Sequence, residues 1–413
     1  MEDFFISEIK RHLQPATGCT EPVAIALNCA TARKEVKGNI RKVIMQTDIA
    51  LYKNALGVGI PGTKERGLKM CAALGIAGGN ADYGLNVFQD IKPEHEVIAK
   101  ALLPLIETGV KGNTDVLYIE TVIETDEDCV RVITYGSHDN IVVIDRPPFA
   151  EFTVDNCSDM SEIQNYTLEQ MKDFADSVPL EKIAFLEEGI NMNREVSKAG
   201  AQLRFGRSLY DMKEHAFLDD SLMSFVPLIT GAASFARMSG VEMPVMTATG
   251  SGNQGITLFL TVDAAAEKLG CCREKKLRAL ALANVVNVYA KSFIGTLSPI
   301  CACGVASGLG ASVGIVYLLG GSTEQMMGAM RNTLGSITGM ICDGAKEGCA
   351  NKVALASTSA VLSALLAMHG SEVSSMDGIL STDMRGLFTN MEYLSNQGMK
   401  NTNAAIVDIM MQK

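Results

Sequence analysis

The sequence has no tryptophan and only nine tyrosines among 413 residues. Single-stranded nucleic acid is gripped by aromatic platforms in basic grooves, and this chain has little of either. It also lacks a basic excess: 36 lysines and arginines stand against 47 acids, a net charge of −11. A phosphate-backbone partner is therefore not expected. The five histidines show no His-x-x-x-His spacing, and the eleven cysteines include no Cys-x-x-Cys pair. Such pairs mark zinc sites, so a tetrahedral zinc centre is not expected either. With 47% hydrophobic residues, disorder is excluded.

What is present is unevenly spread. Residues 1–200 hold 31 acids and 20 bases, while residues 201–413 hold 16 of each. A charge-poor half rich in Gly, Ala and Ser must bury much of itself. Residues 292–323 carry no charge at all, which raises a membrane reading. Against it, Pro299 interrupts any helix, small residues outnumber large apolar ones, and no basic or aromatic flank appears. A tightly packed core helix fits better. The chain opens Met1-Glu2-Asp3, with no basic segment ahead of an apolar run. We therefore expect a cytoplasmic setting, with thiols reduced.

The pattern reads as α+β. A short amphipathic helix covers 2–14 and ends at Pro15; a second follows Thr20, expected as its N-cap, with Glu21 and Pro22 in the first turn. A strand is expected at 40–49, helices at 64–77 and 94–108, and an antiparallel meander at 115–124, 129–135 and 140–146. Helices are expected at 167–176, 180–198, 213–238, 256–269, 273–292, 300–319, 323–338, 348–369 and, with a break, 384–412. This gives an N-terminal α+β domain with an antiparallel sheet, and a mostly all-α C-terminal domain with buried Gly/Ala-rich helices. The expected divisions are 1–36, helices packing on the C-terminal domain; 37–200, the α+β domain; and 201–413, the helical domain. A homodimer is expected on general grounds.

Most cysteines need no special reading, since Cys is among the most buried residue types. Cys29, Cys71, Cys129 and Cys157 read as core or ordinary loop residues, and Cys271 and Cys272 as surface-proximal. Three settings differ. Cys19 in Thr17-Gly18-Cys19-Thr20-Glu21-Pro22 precedes a helix N-terminus, which favours a thiolate. It is a ligand, base or nucleophile, or a plain loop thiol. Cys301 and Cys303 follow Pro299; on a regular helix they point to opposite sides, so one is a ligand candidate and the other core. Cys342 and Cys349 flank a Gly-rich bend that can wrap an object. Cys301, Cys342 and Cys349 supply three thiolates from separate segments, as a cluster needs. One iron then stays open unless Cys19 closes it.

Gly250-Ser251-Gly252-Asn253-Gln254-Gly255 matches Gly-x-Gly-x-x-Gly literally. Asp263 and Glu267 come too early for dinucleotide binding, and no β-α-β repeat surrounds the motif. It reads as an anion cradle, in which Ser251, Asn253 and Gln254 hold a small carboxylate, or as a structural turn. A pyridoxal-phosphate lyase would need a Schiff-base lysine, for which Lys346 and Lys352 are the nearest. A non-enzymatic assembly protein with core cysteines is the other alternative.

Taken in order, several motifs resemble the L-cysteine desulfidase family, relatives of the α-chain of iron–sulfur L-serine dehydratase. They are Gly18-Cys19-Thr20-Glu21-Pro22, Lys53-Asn54, Gly250–Gly255, Leu297-Ser298-x-x-Cys301 and Gly339-Met340-Ile341-Cys342-Asp343-Gly344-Ala345. The resemblance covers the whole chain for the desulfidase family, and only the helical half for the dehydratase. It implies an oxygen-sensitive [4Fe–4S] cluster and β-elimination from a small L-amino acid. Cys301, Cys342 and Cys349 look like the ligands, and Cys19 a fourth ligand or catalytic group. Where the dehydratase has a Cys in its Gly-Ser-Cys-Gly loop, this chain has Gly252-Asn253-Gln254, and Cys303 is extra. An open iron acts as a Lewis acid. Cys19 is the candidate base and Lys53 a weaker one, with Asn54 helping to hold substrate. The products would be pyruvate, ammonia and hydrogen sulfide, or pyruvate and ammonia from serine.

Overall fold

The computed structural model describes residues 1–111, 116–153, 161–295 and 297–413. Helix α1 (Glu2–His12) leads through β1 (Pro15–Thr17) to α2 (Thr20–Glu35). Then come β2 (Ile40–Thr47), α3 (Ile49–Ala55), α4 (Leu68–Gly78), α5 (Pro93–Leu102), β3 (Ile106–Val110), β4 (Tyr118–Thr125), β5 (Cys129–Tyr135) and β6 (Ile141–Asp145). Strands β2 to β6 form one sheet in the order β3-β2-β4-β5-β6. The meander is antiparallel throughout, with Thr121 opposite Val132 and Val132 opposite Ile144. Strand β3 was not expected. Pro104 cannot extend α5 by an N–H bond, and the β-prone run after it pairs parallel to β2, Val43 beside Ile106. A parallel neighbour needs a long crossover, and α3, α4 and α5 supply it.

The two N-terminal helices part company. Helix α1 packs on the helical half through Phe5 and Ile9. Helix α2 does not: it lies on the sheet, and its residues Val23 to Ala32 belong to the sheet's core. The first residue of α2 is Thr20, but its N-cap is Cys19 and no side chain caps it. Thr20 turns away and donates to the Gly250 carbonyl at 3.2 Å.

The remaining helices are α6 (Leu168–Ser177), α7 (Leu180–Ile183), α8 (Leu186–Ala201), α9 (Arg204–Glu214) and α10 (Leu222–Met238). After β7 (Pro244–Met246) come α11 (Gly252–Lys268), α12 (Arg273–Ile294), α13 (Val305–Leu318) and α14 (Thr323–Ile337). Last are α15 (Cys349–Met368), α16 (Met384–Tyr393) and α17 (Thr402–Met411). Residues of α6 to α8 share the helical core, so the sheet unit ends before them. The expected helix 213–238 is two, parted by a turn in which Asp219 accepts from Ser221 and Ser224.

Helices α11, α12 and α13 form the buried centre. A Cβ at Gly310 would stand 2.5 Å from the Ala283 carbonyl oxygen, so the small residues let α12 and α13 meet backbone to backbone. This explains the uncharged stretch: α13 is buried along nearly its whole length. Among the described residues, α15 alone is long and apolar enough to cross a membrane, and half of its apolar window is buried.

Two links tie the halves together around the site. Strand β1 pairs antiparallel with β7, Pro15 opposite Met246. At the other end, α17 packs on α3, and its Val407 joins the sheet's core.

Candidate active site

All nine sequence-predicted site residues line one cavity of about 730 Å³, counted to its open mouth. They arrive from four directions: Cys19 at the start of α2, Lys53 and Asn54 on α3, Ser251 to Gln254 at the start of α11, and the thiols before α13 and α15.

The Gly-rich motif is a tight turn opening a helix. Ala248 and Ser251 exchange backbone bonds of 3.1 Å across Thr249-Gly250. Both turn residues have positive φ, +45° at Thr249 and +82° at Gly250. A β-branched residue rarely adopts that conformation. Thr249 is held there by Gln254, whose Oε1 accepts its hydroxyl at 2.7 Å, and by Asn287 at 3.2 Å. Gly255 leaves no room for a side chain, since a Cβ would meet the Met246 carbonyl at 1.9 Å. Among the described residues, strand β7, which precedes this helix, pairs only with β1, antiparallel, and forms no dinucleotide-binding unit. Gln254 is occupied in bracing the turn rather than open to a substrate. Asn253 differs: its Oδ1 is buried and has no hydrogen-bond partner among the described residues. Ser251 sits 3.3 Å from the Cys303 sulfur.

The 301–303 pair departs from the sequence argument. Helix α13 begins at Val305, so Cys301 and Cys303 stand in a turn ahead of it. The turn is fixed by its partner loop: Cys301 N–H donates to the Met340 carbonyl at 2.8 Å and Cys342 N–H to the Pro299 carbonyl at 2.7 Å. Helical spacing therefore does not apply, and both sulfurs line the cavity. The Cys301 thiol hydrogen-bonds to Cys303 and keeps its own proton, well above its ordinary range, helped by burial. Cys303 is drawn down to about 7 by the Cys301 bond, with Ser251 and Arg237 assisting against burial.

The 342–349 loop lies against α3. Gly344 has φ +94°, and a Cβ there would come 2.9 Å from the Lys53 carbonyl oxygen. Lys53, 1% exposed, donates to the Cys342 carbonyl at 2.6 Å and to Asn403 Oδ1 at 2.8 Å. It pins α3, this loop and α17 together. Asn54 donates to Glu21 at 3.0 Å and accepts from the Cys342 thiol at 3.7 Å. Cys349 opens α15, and burial raises it to about 11. Lys346 and Lys352 are both tied to Asp343, a poor setting for a Schiff base.

Cys19 stands at the N-cap position of α2 without a capping bond from its thiol, and burial pushes it up to about 12. Desolvation outweighs the helix end and the nearby Arg237. Its thiol faces Met238 sulfur at 4.0 Å.

Sequence reasoning passed over Arg237 and Glu21 as site groups. Arg237 is 4% exposed and donates to the Gly18 carbonyl at 3.1 Å. Its signal was a charge within the apolar run Ser234-Phe235-Ala236-Arg237-Met238. Of the other cysteines, Cys29 and Cys71 are fully buried, Cys129 and Cys271 partly, and Cys272 is exposed; Cys157 lies outside the described residues.

Comparison with known proteins now bears on the site. The family model for the serine dehydratase alpha chain matches residues 82–408. The chain belongs to the serine dehydratase alpha-chain family. The match reaches back into the sheet, beyond the helical half expected for that likeness. UPF0597 proteins are similar over the full length. That of Clostridium tetani is 36% identical, covering 100% of this chain and 99% of its own. Those of Caldanaerobacter subterraneus and Bacteroides fragilis are 38% and 37% identical, covering 98% and 99% of this chain and 97% of each of their own. The family is that of iron–sulfur serine dehydratases, and membership supports a lyase of amino-acid catabolism.

Proposed function

We propose that this protein is an iron–sulfur-dependent L-cysteine desulfidase, eliminating hydrogen sulfide from L-cysteine to leave pyruvate and ammonia. The observation that carries this reading is the gathering of five thiols, from segments far apart in sequence, around one cavity. The residues fit a [4Fe–4S] cluster. Thiolate sulfur is its usual donor, and the thiols influence one another's ionisation: Cys301 feels Cys303, Cys342 and Cys349, and Cys19 feels Cys349 and Cys303. Among the described residues no three metal-binding side chains close on a single ion.

In this reading Cys301, Cys342 and Cys349 hold the cluster, with Cys303 an alternative to Cys301 and Cys19 a fourth ligand or a supporting thiol. Bound there, the cluster would supply a Lewis-acidic iron for the substrate's carboxylate and leaving group. The chain's own residues do the rest. Asn253 Oδ1 offers an acceptor for the substrate amine and Ser251 a hydroxyl, while Asn54 and Glu21, bonded to each other, line the same cavity. Loss of the α-proton turns the C–H pair into the Cα–Cβ double bond, and the Cβ–S pair leaves with sulfur. The aminoacrylate then tautomerises and hydrolyses.

Serine dehydration by the same chemistry is the second reading, favoured by the family match. A cytoplasmic setting and a homodimer belong to the proposal as well. Anaerobic reconstitution, followed by assay of sulfide and pyruvate from L-cysteine against pyruvate from L-serine, separates the two readings. Asn253→Leu, which keeps the shape and removes the acceptor, would also test the amine contact: we expect KM to rise at least tenfold with the iron content unchanged.

A further inference from the structure

Arg237 is the penultimate residue of α10 and is 4% exposed. A guanidinium stays charged wherever it is placed, and burying it is costly unless an anion meets it. Among the described residues Arg237 has no ion pair, and its one hydrogen bond runs from Nε to the Gly18 carbonyl at 3.1 Å. The remaining N–H donors of the fork are unused. Neither terminal nitrogen is sealed away from solvent, and the residue lines the cavity beside Cys19, Ser251 and Asn253. The acid of the cavity, Glu21, is engaged elsewhere: it accepts from Asn54 at 3.0 Å and from Thr20 at 3.3 Å.

The fork is held in place by two of the glycines that the sequence motifs contain. Gly252 opens α11, and a Cβ there would come 2.4 Å from Nε and 2.7 Å from Cζ of Arg237. A side chain at 252 would therefore push the guanidinium off this backbone. Gly18, whose carbonyl takes the Nε bond, has φ +71°, and a Cβ on it would stand 2.3 Å from Pro61 Cγ. The residue after Gly252 is Asn253, whose buried Oδ1 has no partner among the described residues. A cationic fork and an open acceptor thus adjoin at the head of α11, and the positive end of that helix adds to the field. An α-amino acid carries its carboxylate and its ammonium on one carbon, so it needs this pair of partners side by side.

We propose that Arg237 binds the α-carboxylate of the substrate, while Asn253 receives the ammonium. The inference rests on the elimination reading above for the substrate's class, and it makes Arg237 the residue that selects for an amino acid. Guanidinium–carboxylate bonds are charge-assisted and directional, so they fix the orientation of Cα as well as adding affinity. A thiol or alcohol without the carboxylate would leave the buried cation unpaired, which is how a polar site rejects an analogue. The rival partners for this charge are the thiols themselves, since Arg237 draws Cys19 and Cys303 down against their burial.

The test titrates anaerobically reconstituted wild type, Arg237→Gln and Arg237→Lys by calorimetry with two probes. L-Alanine has the carboxylate but no leaving group; L-alaninamide lacks the carboxylate. Iron per chain is measured alongside. Wild type should bind L-alanine at least about tenfold more tightly than the amide. In Arg237→Gln, L-alanine should weaken by at least about tenfold and the amide by less than about threefold, with iron unchanged. Arg237→Lys keeps the charge but not the fork and should fall between. Wild type that fails to prefer L-alanine, or an Arg237→Gln that weakens both probes alike or neither, would overturn the assignment. Iron lost from both variants would overturn it too, because Arg237 would then serve the thiolates. The elimination reading fails separately: wild type that prefers L-alanine through Arg237, yet releases no pyruvate from L-cysteine or L-serine, binds an amino acid without acting on it.

Discussion

At the scale of single residues, the site divides into groups that hold and groups that are held. Cys342 sits between Lys53, which donates to its carbonyl, and Asn54, which accepts a hydrogen bond from its thiol. Cys342→Ala should abolish both iron loading and turnover, while Cys272→Ser, on an exposed thiol, should change neither; iron analysis alongside pyruvate assay decides. Lys53→Met leaves two buried acceptors unpaired, at about 1–3 kcal/mol apiece. It should lower the melting temperature and weaken iron retention rather than act on the chemical step, a split visible in activity per bound iron. These residues were legible as a set because thiols, glycines and amides cluster in the sequence. Their roles were less so. Whether a cysteine at a helix start is a thiolate depends on how deeply it is buried, which neighbours distant in sequence decide. The burial of His138 was not legible either: its hairpin is polar, yet the ring lies buried near Gly250.

Elements follow the same division between local and distant causes. Helix α12 was expected at 273–292 and found at Arg273–Ile294 because its stop at Gly295 is written locally. The start of α13 was misread because Pro299 marks a helix start, while a bond from Met340, forty residues on, holds the chain out of it. Strand β3 was missed for a similar reason: five residues, paired with a strand sixty positions earlier. Helix α3 offers a direct test. Asp48 caps it, accepting from Ala50 and Leu51 at 2.9 Å, and also from Tyr118 N–H at 3.0 Å. Asp48→Ala should cost about 1–2 kcal/mol and loosen Lys53 and Asn54, seen as a lower urea midpoint. Burial raises the Asp48 carboxyl from 3.8 to about 6. The proton therefore favours the folded state, and that stability is complete below about pH 4 and lost as pH rises through 6. Asp48→Asn gives up the Tyr118 bond at every pH but cannot titrate. Its stability relative to wild type should improve steadily between pH 4 and 7. In the helical core, Gly310→Ala pushes a methyl against the Ala283 carbonyl and should cost about 1–3 kcal/mol by thermal unfolding.

The whole molecule is two cores, a sheet unit and a helical unit, sewn together beside the cavity. The α+β class and the Gly/Ala-rich buried helices could be read from composition and period. The stitching could not. Strand β1 is three residues long, and α17 completes the far side of α3, with Asn403 on Lys53. Removing residues 402–413 should therefore expose Lys53 and reduce iron retention, although every cysteine remains. Iron per chain after desalting would show it.

The central claim is that the gathered thiols serve β-elimination. Its most direct measurement is product release by the anaerobically reconstituted protein. With about four irons per chain, it should release sulfide and pyruvate in equal amounts from L-cysteine, faster than pyruvate from L-serine. A protein carrying its full iron and sulfide that yields no pyruvate from either amino acid would contradict the account.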